Sequence, residues 1–184
     1  MMFLDLETSS LHADIGIIIA AGFILSSGKK EIIFTEEPEK EKETIEKALE
    51  IIRKNKNETL IIWHSGFDIP FLLTRSIKYN IDASILFEIK ILDLYKFAKE
   101  NLALSTYRLD EVSRFFGIKK NLSITGKNVQ ELYFQFLKNR DKAKKEIIEH
   151  CEDDLEALKN IYKKLEVYIR KTLDFQPKNF SFKN

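Results

Sequence analysis

Carboxylates interrupt the most apolar stretches of this 184-residue chain. Asp5 and Glu7 alternate with leucines in Phe3-Leu4-Asp5-Leu6-Glu7-Thr8. Asp68 follows Phe67 shortly after the run Leu60-Ile61-Ile62-Trp63. Asp154 precedes Leu155 in His150-Cys151-Glu152-Asp153-Asp154-Leu155. An unpaired carboxylate is costly to bury. A group of them is tolerated in a core when divalent cations neutralise it. The fold must therefore turn these side chains out to solvent or gather them around positive charge.

The patterning predicts strands at Met2–Leu6, Ile15–Leu25, Ile32–Phe34, Thr59–Trp63 and Ile89–Leu92. Thr59 to Trp63 shows no alternation, as expected of a strand covered on both faces. The turn Ser26-Ser27-Gly28-Lys29-Lys30 between the second and third segments predicts a hairpin. Residues Glu36 to Lys56 carry charges around a stripe of Ile45, Ala48, Leu49, Ile51 and Ile52, which predicts an amphipathic helix starting near Pro38. Further helices are predicted over Asp68–Tyr79 (with Pro70 in the first turn), Leu94–Asn101, Leu109–Phe116, Val129–Leu137 and Asp141 to about Lys171. This order describes an α/β layer architecture with a mixed sheet. At 184 residues and 44% hydrophobic, one domain is expected. It is assigned to residues 1–173, with a polar tail over 174–184 that is expected to pack loosely or stay disordered.

The net charge is +1, from 30 basic and 29 acidic residues, and neither suggests nor excludes a nucleic-acid partner. A single cysteine, Cys151, excludes an internal disulfide and fits a reducing compartment. The N-terminus lacks the basic start of a signal peptide. The apolar stretch Ile15–Leu25 is too short to span a membrane. A cytoplasmic location is the expectation.

On a strand, Asp5 and Glu7 project from one face. Two such charges repel, so one takes up a proton unless cations lie between them. Asp68 falls at a predicted helix start, where a capping role is common. His150 and Asp154, four apart on the last helix, share a face. Each element alone has a plain structural reading: a strand end, a cap, a solvated helix edge.

Their order along the chain resembles that of the DEDD 3′–5′ exonucleases of the ribonuclease H-like superfamily, a group that includes polymerase proofreading domains. The similarity runs from Met2 to about Leu165. It includes Leu92-Asp93-Leu94, the segment Ser105-Thr106-Tyr107-Arg108-Leu109-Asp110-Glu111-Val112, and Thr125-Gly126-Lys127 before the helix containing Tyr133. The closest likeness is to the exonuclease part of B-family DNA polymerases and its free-standing relatives. The resemblance implies a ribonuclease H-like five-stranded mixed sheet. It implies that Asp5, Glu7, Asp68 and Asp154 hold two divalent cations, Mg²⁺ or Mn²⁺. Such a pair clamps the attacking and leaving oxygens of a phosphodiester displacement. The substrate would be the 3′ end of single-stranded DNA or RNA.

His150 departs from the family pattern. Members carry a Tyr four residues before the last Asp or a His five residues before it. Here a His stands at the Tyr spacing, and Glu149 is five before. A neutral imidazole accepts a proton near pH 7, so His150 is expected to position or deprotonate the attacking water. The resemblance also places Thr8 to Leu11 at the terminal nucleotide, with Leu11 as a wedge, Phe67 as a stacking surface, and His64 where many relatives carry Asn. Lys119, Lys120 and Lys127 are candidates for phosphate contacts. Two other functions stay open: an exonuclease fold that only binds nucleic acid or protein, and an endonuclease on the same fold.

Overall fold

The central strand β1 (Met2–Thr8) carries apolar residues on both faces. Met2, Leu4 and Leu6 belong to one buried cluster, whereas Phe3 belongs to another on the opposite side. The computed structural model describes residues 1–120, 126–138 and 141–174, except for the side chains of 126–128 and 173–174. Thr125, the side chain of Lys127 and the tail from 175 onward, all named above, lie outside the described residues.

β1 pairs antiparallel with β2 (Ile18–Ile24), which pairs antiparallel with β3 (Lys30–Phe34). On its other edge β1 runs parallel to β4 (Thr59–Ile62), and β4 runs parallel to β5 (Lys90–Asp93). The order β3-β2-β1-β4-β5 is the mixed five-stranded sheet expected. Helix α1 (Glu41–Lys54) buries Ile45, Ala48, Leu49 and Ile52 against Leu4 and Leu6, together with α2 (Ser65–Lys78) and a short α3 (Ile85–Glu88). The opposite face is covered by α7 (Asp141–Asp174), α5 (Leu109–Phe115) and α4 (Leu94–Asn101). Between α7 and the β2–β3 hairpin, α6 (Gly126–Phe136) closes a third cluster around Ile19, Val129, Tyr133 and Ile147. Among the described residues, no helix is long and apolar enough to cross a membrane.

Several boundaries differ from the sequence expectation. β2 begins at Ile18, not Ile15, because residues 9–17 form a loop. Ser9 closes it at both ends: its amide donates to Ile17 O, and its hydroxyl accepts from Ile17 N at 2.9 Å. Pro38–Lys40 is a single 3₁₀ turn leading into α1. Helix α2 starts at Ser65, three residues earlier than Asp68. Its first turn is satisfied from the neighbouring strand, since Asp93 Oδ2 accepts from Ser65 N at 3.0 Å and Ser65 Oγ at 2.6 Å. Asp68 is therefore not the cap, and Pro70 lies inside the helix. α3 is too short for a periodic signature.

A buried ion pair joins α1 and α2 within one layer. Arg75 of α2 and Glu41 of α1 are 1% and 0% exposed. Arg75 Nε donates to Glu41 Oε1 at 2.8 Å, and Arg75 Nη1 donates to Ala13 O at 2.9 Å in the 9–17 loop. Glu41 also accepts from Ile18 N and from the Tyr79 hydroxyl, both at 2.9 Å. Removing one member of a buried pair leaves an uncompensated charge and costs about 3–5 kcal/mol. Arg75→Met should lower the unfolding free energy, read from urea denaturation, by that amount. Adding Glu41→Leu should recover part of the loss but not all, because the Ile18 amide keeps no acceptor.

Candidate active site

β4 ends at Ile62, and its pairing with β1 is confined to Met2–Leu60 and Phe3–Ile61. β1 runs on to Thr8, so its last residues have no strand on that side. The notch is filled from α2. Asp68, 6% exposed, accepts from Leu6 N–H with its carboxylate. Asp5 and Glu7 share the α7 face of β1 with Phe3. Opposite them on β2 stand Gly22 and Ala20. These small residues leave room on that face, and α7 brings His150, Cys151 and Asp154 into it.

Of the four acids expected from the sequence, Asp5, Glu7 and Asp154 contribute to two adjoining groups of close ligand atoms, and Asp68 acts on Asp5 and Glu7 through its charge. Burial pushes the Asp5 carboxyl well above the ordinary range, and the charges of Asp154 and Asp68 push it further. Glu7 is raised by burial and then by Asp5, Asp154 and Asp68. Burial raises Asp68 to about 7 and also raises Asp154. His150 is 2% exposed. Its Nε2 lies 3.6 Å from Glu7 Oε1 and its Nδ1 lies 3.8 Å from Asp154 Oδ1. Burial lowers its basicity, so the ring is neutral near pH 7.

Three further residues join the site, and of these only Lys120 had been given a candidate role, at phosphates. Lys120, after α5, forms ion pairs with Asp154 and, at 2.5 Å, with Asp110. It instead points inward and supplies a positive charge to the cluster, while Lys119 stays exposed. Asp110 follows Lys120 as its second partner. Cys151 was expected only within an apolar stripe. It is fully buried and its thiol lies beside the Asp5 carboxylate, within 4.8 Å of a ligand oxygen. Its acidity is suppressed by burial and by the nearby carboxylates. No local sequence signal marks these contacts. The basic pair Lys119-Lys120 beside an otherwise apolar segment was the one available hint.

The expected substrate-side residues are more scattered. Thr8 Oγ1 donates to Ser10 O at 2.8 Å within the loop. Leu11 is 79% exposed, so it has no core role. Leu11 and Phe67 line a cleft of about 310 Å³ with His12, Pro70 and Phe71. Phe67 also packs on Phe71, with ring centroids 5.5 Å apart. His64 precedes α2 and stands edge-on to Tyr95 at 4.6 Å, outside that cleft.

The donor set fits hard divalent cations. Asp5, Glu7 and Cys151 each present one ligand atom within 4.8 Å of the others, as do Glu7, His150 and Asp154. Asp5 Oδ2 and Glu7 Oε1 are buried without a hydrogen-bond donor. Orphaned buried carboxylate oxygens are the groups a cation would satisfy.

A sequence-family model described as the RNase_H superfamily matches residues 2–166. The chain belongs to the RNase H superfamily. No curated protein matches it. The family B DNA polymerase from the hyperthermophilic archaeon Pyrobaculum calidifontis is similar in structure, with a TM-score of 0.77. The identity is 18%, over 89% of this chain and 24% of the polymerase chain. At that identity the likeness shows a shared fold. This RNase H superfamily member spans a small part of the polymerase's length.

The raised carboxyls set the sign of a pH dependence. A carboxyl whose folded pKa exceeds its unfolded value holds a proton in the folded state that the unfolded chain has lost. Stability is then fully present at low pH and declines as pH rises through the window between the two values. For Asp68 that window runs from about 4 to about 7, and the effect is of order 4 kcal/mol. His150 acts oppositely below its ordinary value near 6.5, but it is one group against four carboxyls. The metal-free protein should melt at progressively lower temperature from pH 5 to pH 8. Asp68→Asn should flatten that slope, and Mg²⁺ or Mn²⁺ should raise the melting temperature most at pH 8.

Proposed function

We propose that this protein is a metal-dependent 3′–5′ exonuclease that removes nucleotides from the end of single-stranded DNA or RNA. The RNase H fold supports a nuclease-type function. The observation that carries the finer reading is the gathering of Asp5, Glu7 and Asp154 in adjoining groups of close ligand atoms with orphaned oxygens, where the charge of Asp68 also acts. Asp5, Glu7, Asp68 and Asp154 would hold two divalent ions, Mg²⁺ or Mn²⁺. When bound, such ions supply Lewis acidity and a template for the attacking and leaving oxygens of an in-line displacement.

The chain's own residues divide the remaining work. Asp68, fixed by the Leu6 amide, couples the end of β1 to α2 and so to the cleft beside Phe67. Leu11 and Phe67 offer apolar surface to a terminal base, with Thr8 shaping the intervening loop. His64 lies at the start of α2, where its ring can meet a strand leaving that cleft. His150 Nε2 and Glu7 Oε1 are 3.6 Å apart with no hydrogen bond between them. The neutral imidazole would accept a proton at Nε2 from the attacking water as its oxygen bonds to phosphorus and the bond from phosphorus to the 3′-oxygen of the preceding nucleotide breaks, releasing a nucleoside 5′-monophosphate.

The decisive assay uses a 3′-labelled single strand. Mononucleotide release that disappears with EDTA and in Asp5→Ala is the expected outcome, and a circular single strand should resist cleavage. Cleavage of the circle would assign an endonuclease. Strong binding without turnover or metal dependence would assign a binding module. His150→Ala should slow turnover by roughly 10²-fold or more, the usual share of a general base. His150→Tyr should alter the pH–rate profile, and an unchanged rate and profile would remove His150 from the chemistry.

A further inference from the structure

Cys151 contributes a donor that hard-ion chemistry does not call for. It is the one cysteine of the chain and is fully buried. Its Sγ lies within 4.8 Å of a ligand oxygen from both Asp5 and Glu7. The space it occupies exists because Gly22 faces Asp5 across the β1–β2 ladder. A Cβ at Gly22 would collide with Cys151 Sγ and stand 2.8 Å from Leu155 Cδ1. Glu7, 5% exposed, directs an oxygen without a hydrogen-bond donor into the same space. Asp5, half-buried, adds a second oxygen without a hydrogen-bond donor, Oδ2. A sulfur with two carboxylate oxygens is a mixed donor set, and thiolate ligands favour soft and borderline ions over Mg²⁺.

We propose that Asp5, Glu7 and Cys151 form a binding site for one thiophilic divalent cation, of the Zn²⁺ or Cd²⁺ class. The metal–sulfur bond forms as the S–H bond breaks, and the thiol proton passes to solvent together with any proton held by Asp5 or Glu7, so binding releases at least one proton. Because the ion takes Asp5 and Glu7, it excludes Mg²⁺ from them. Inhibition of cleavage by traces of such ions is the functional consequence. That consequence rests on the nuclease reading, whereas the binding itself does not.

Cd²⁺ alone is the probe. Titration of the reduced, metal-free protein should produce a sulfur-to-metal charge-transfer absorption that saturates at one ion per chain. With a single cysteine, such a band has one possible origin. Cys151→Ser keeps a hydroxyl beside Asp5 but should abolish the band and weaken Cd²⁺ binding by roughly 10- to 100-fold or more by calorimetry. Glu7→Gln should keep the thiol yet weaken binding similarly. No band in the wild-type protein at saturating Cd²⁺ would overturn the site without recourse to any variant. Equal Cd²⁺ affinity in a folded Cys151→Ser protein would also overturn it. A band without Mg²⁺-dependent cleavage would sink the nuclease reading and leave this site standing, and cleavage without a band would do the reverse.

Discussion

Mutual repulsion among carboxylates at the end of a buried strand is the constraint on which this molecule turns. Asp68 and Asp154 lie close enough to raise the proton affinity of Asp5 and Glu7, in surroundings that already oppose charge. The protein compensates only in part. Lys120 reaches Asp154, the Leu6 amide reaches Asp68, and the Cys151 thiol reaches Asp5. The remaining deficit raises the proton affinity of these carboxyls. Such a site is poised for exchange, since a divalent ion can displace bound protons and remove the repulsion together. Its affinity for cations should therefore increase with pH, the inverse of its metal-free stability.

The sheet creates the place where this happens. β1 outruns β4, so backbone groups beyond their paired residues need partners from elsewhere. Asp68 enters through that gap and ties α2 to the strand that bears Asp5 and Glu7. α7 crosses the other face, and the small residues Ala20 and Gly22 on β2 let it approach closely. Residues widely separated along the chain are thus held by the same three elements that form the cores. The site's geometry is as rigid as the packing of Phe3, Leu155 and Leu158 beneath it.

Much of this was legible in the sequence, for identifiable reasons. Strands covered on both faces must be apolar throughout, which exposed β1, β2 and β4. The two-residue spacing of Asp5 and Glu7 and the four-residue spacing of His150 and Asp154 followed from strand and helix periods alone. What escaped depends on tertiary contact. Asp93 caps α2 from 28 residues away, so the helix begins earlier than any local cap announces. Lys120 turns inward because Asp110 and Asp154 await it, although a lysine beside another lysine reads as surface. Cys151 matches the apolar stripe of α7, and nothing in that stripe signals that Asp5 lies opposite.

A second buried charge cluster in the same chain makes the first interpretable. Glu41 and Arg75 are as deeply buried as Glu7 and His150, yet every partner is accounted for. Glu41 accepts from Arg75, Ile18 and Tyr79, and Arg75 also holds Ala13. Such saturation fixes one arrangement and leaves no valence for anything further. The carboxylate cluster, built in the same core, keeps orphaned oxygens and neighbours of like charge. Burial alone therefore does not separate structure from function here. The distinction lies in whether the cluster neutralises itself, and the one at the end of β1 does not.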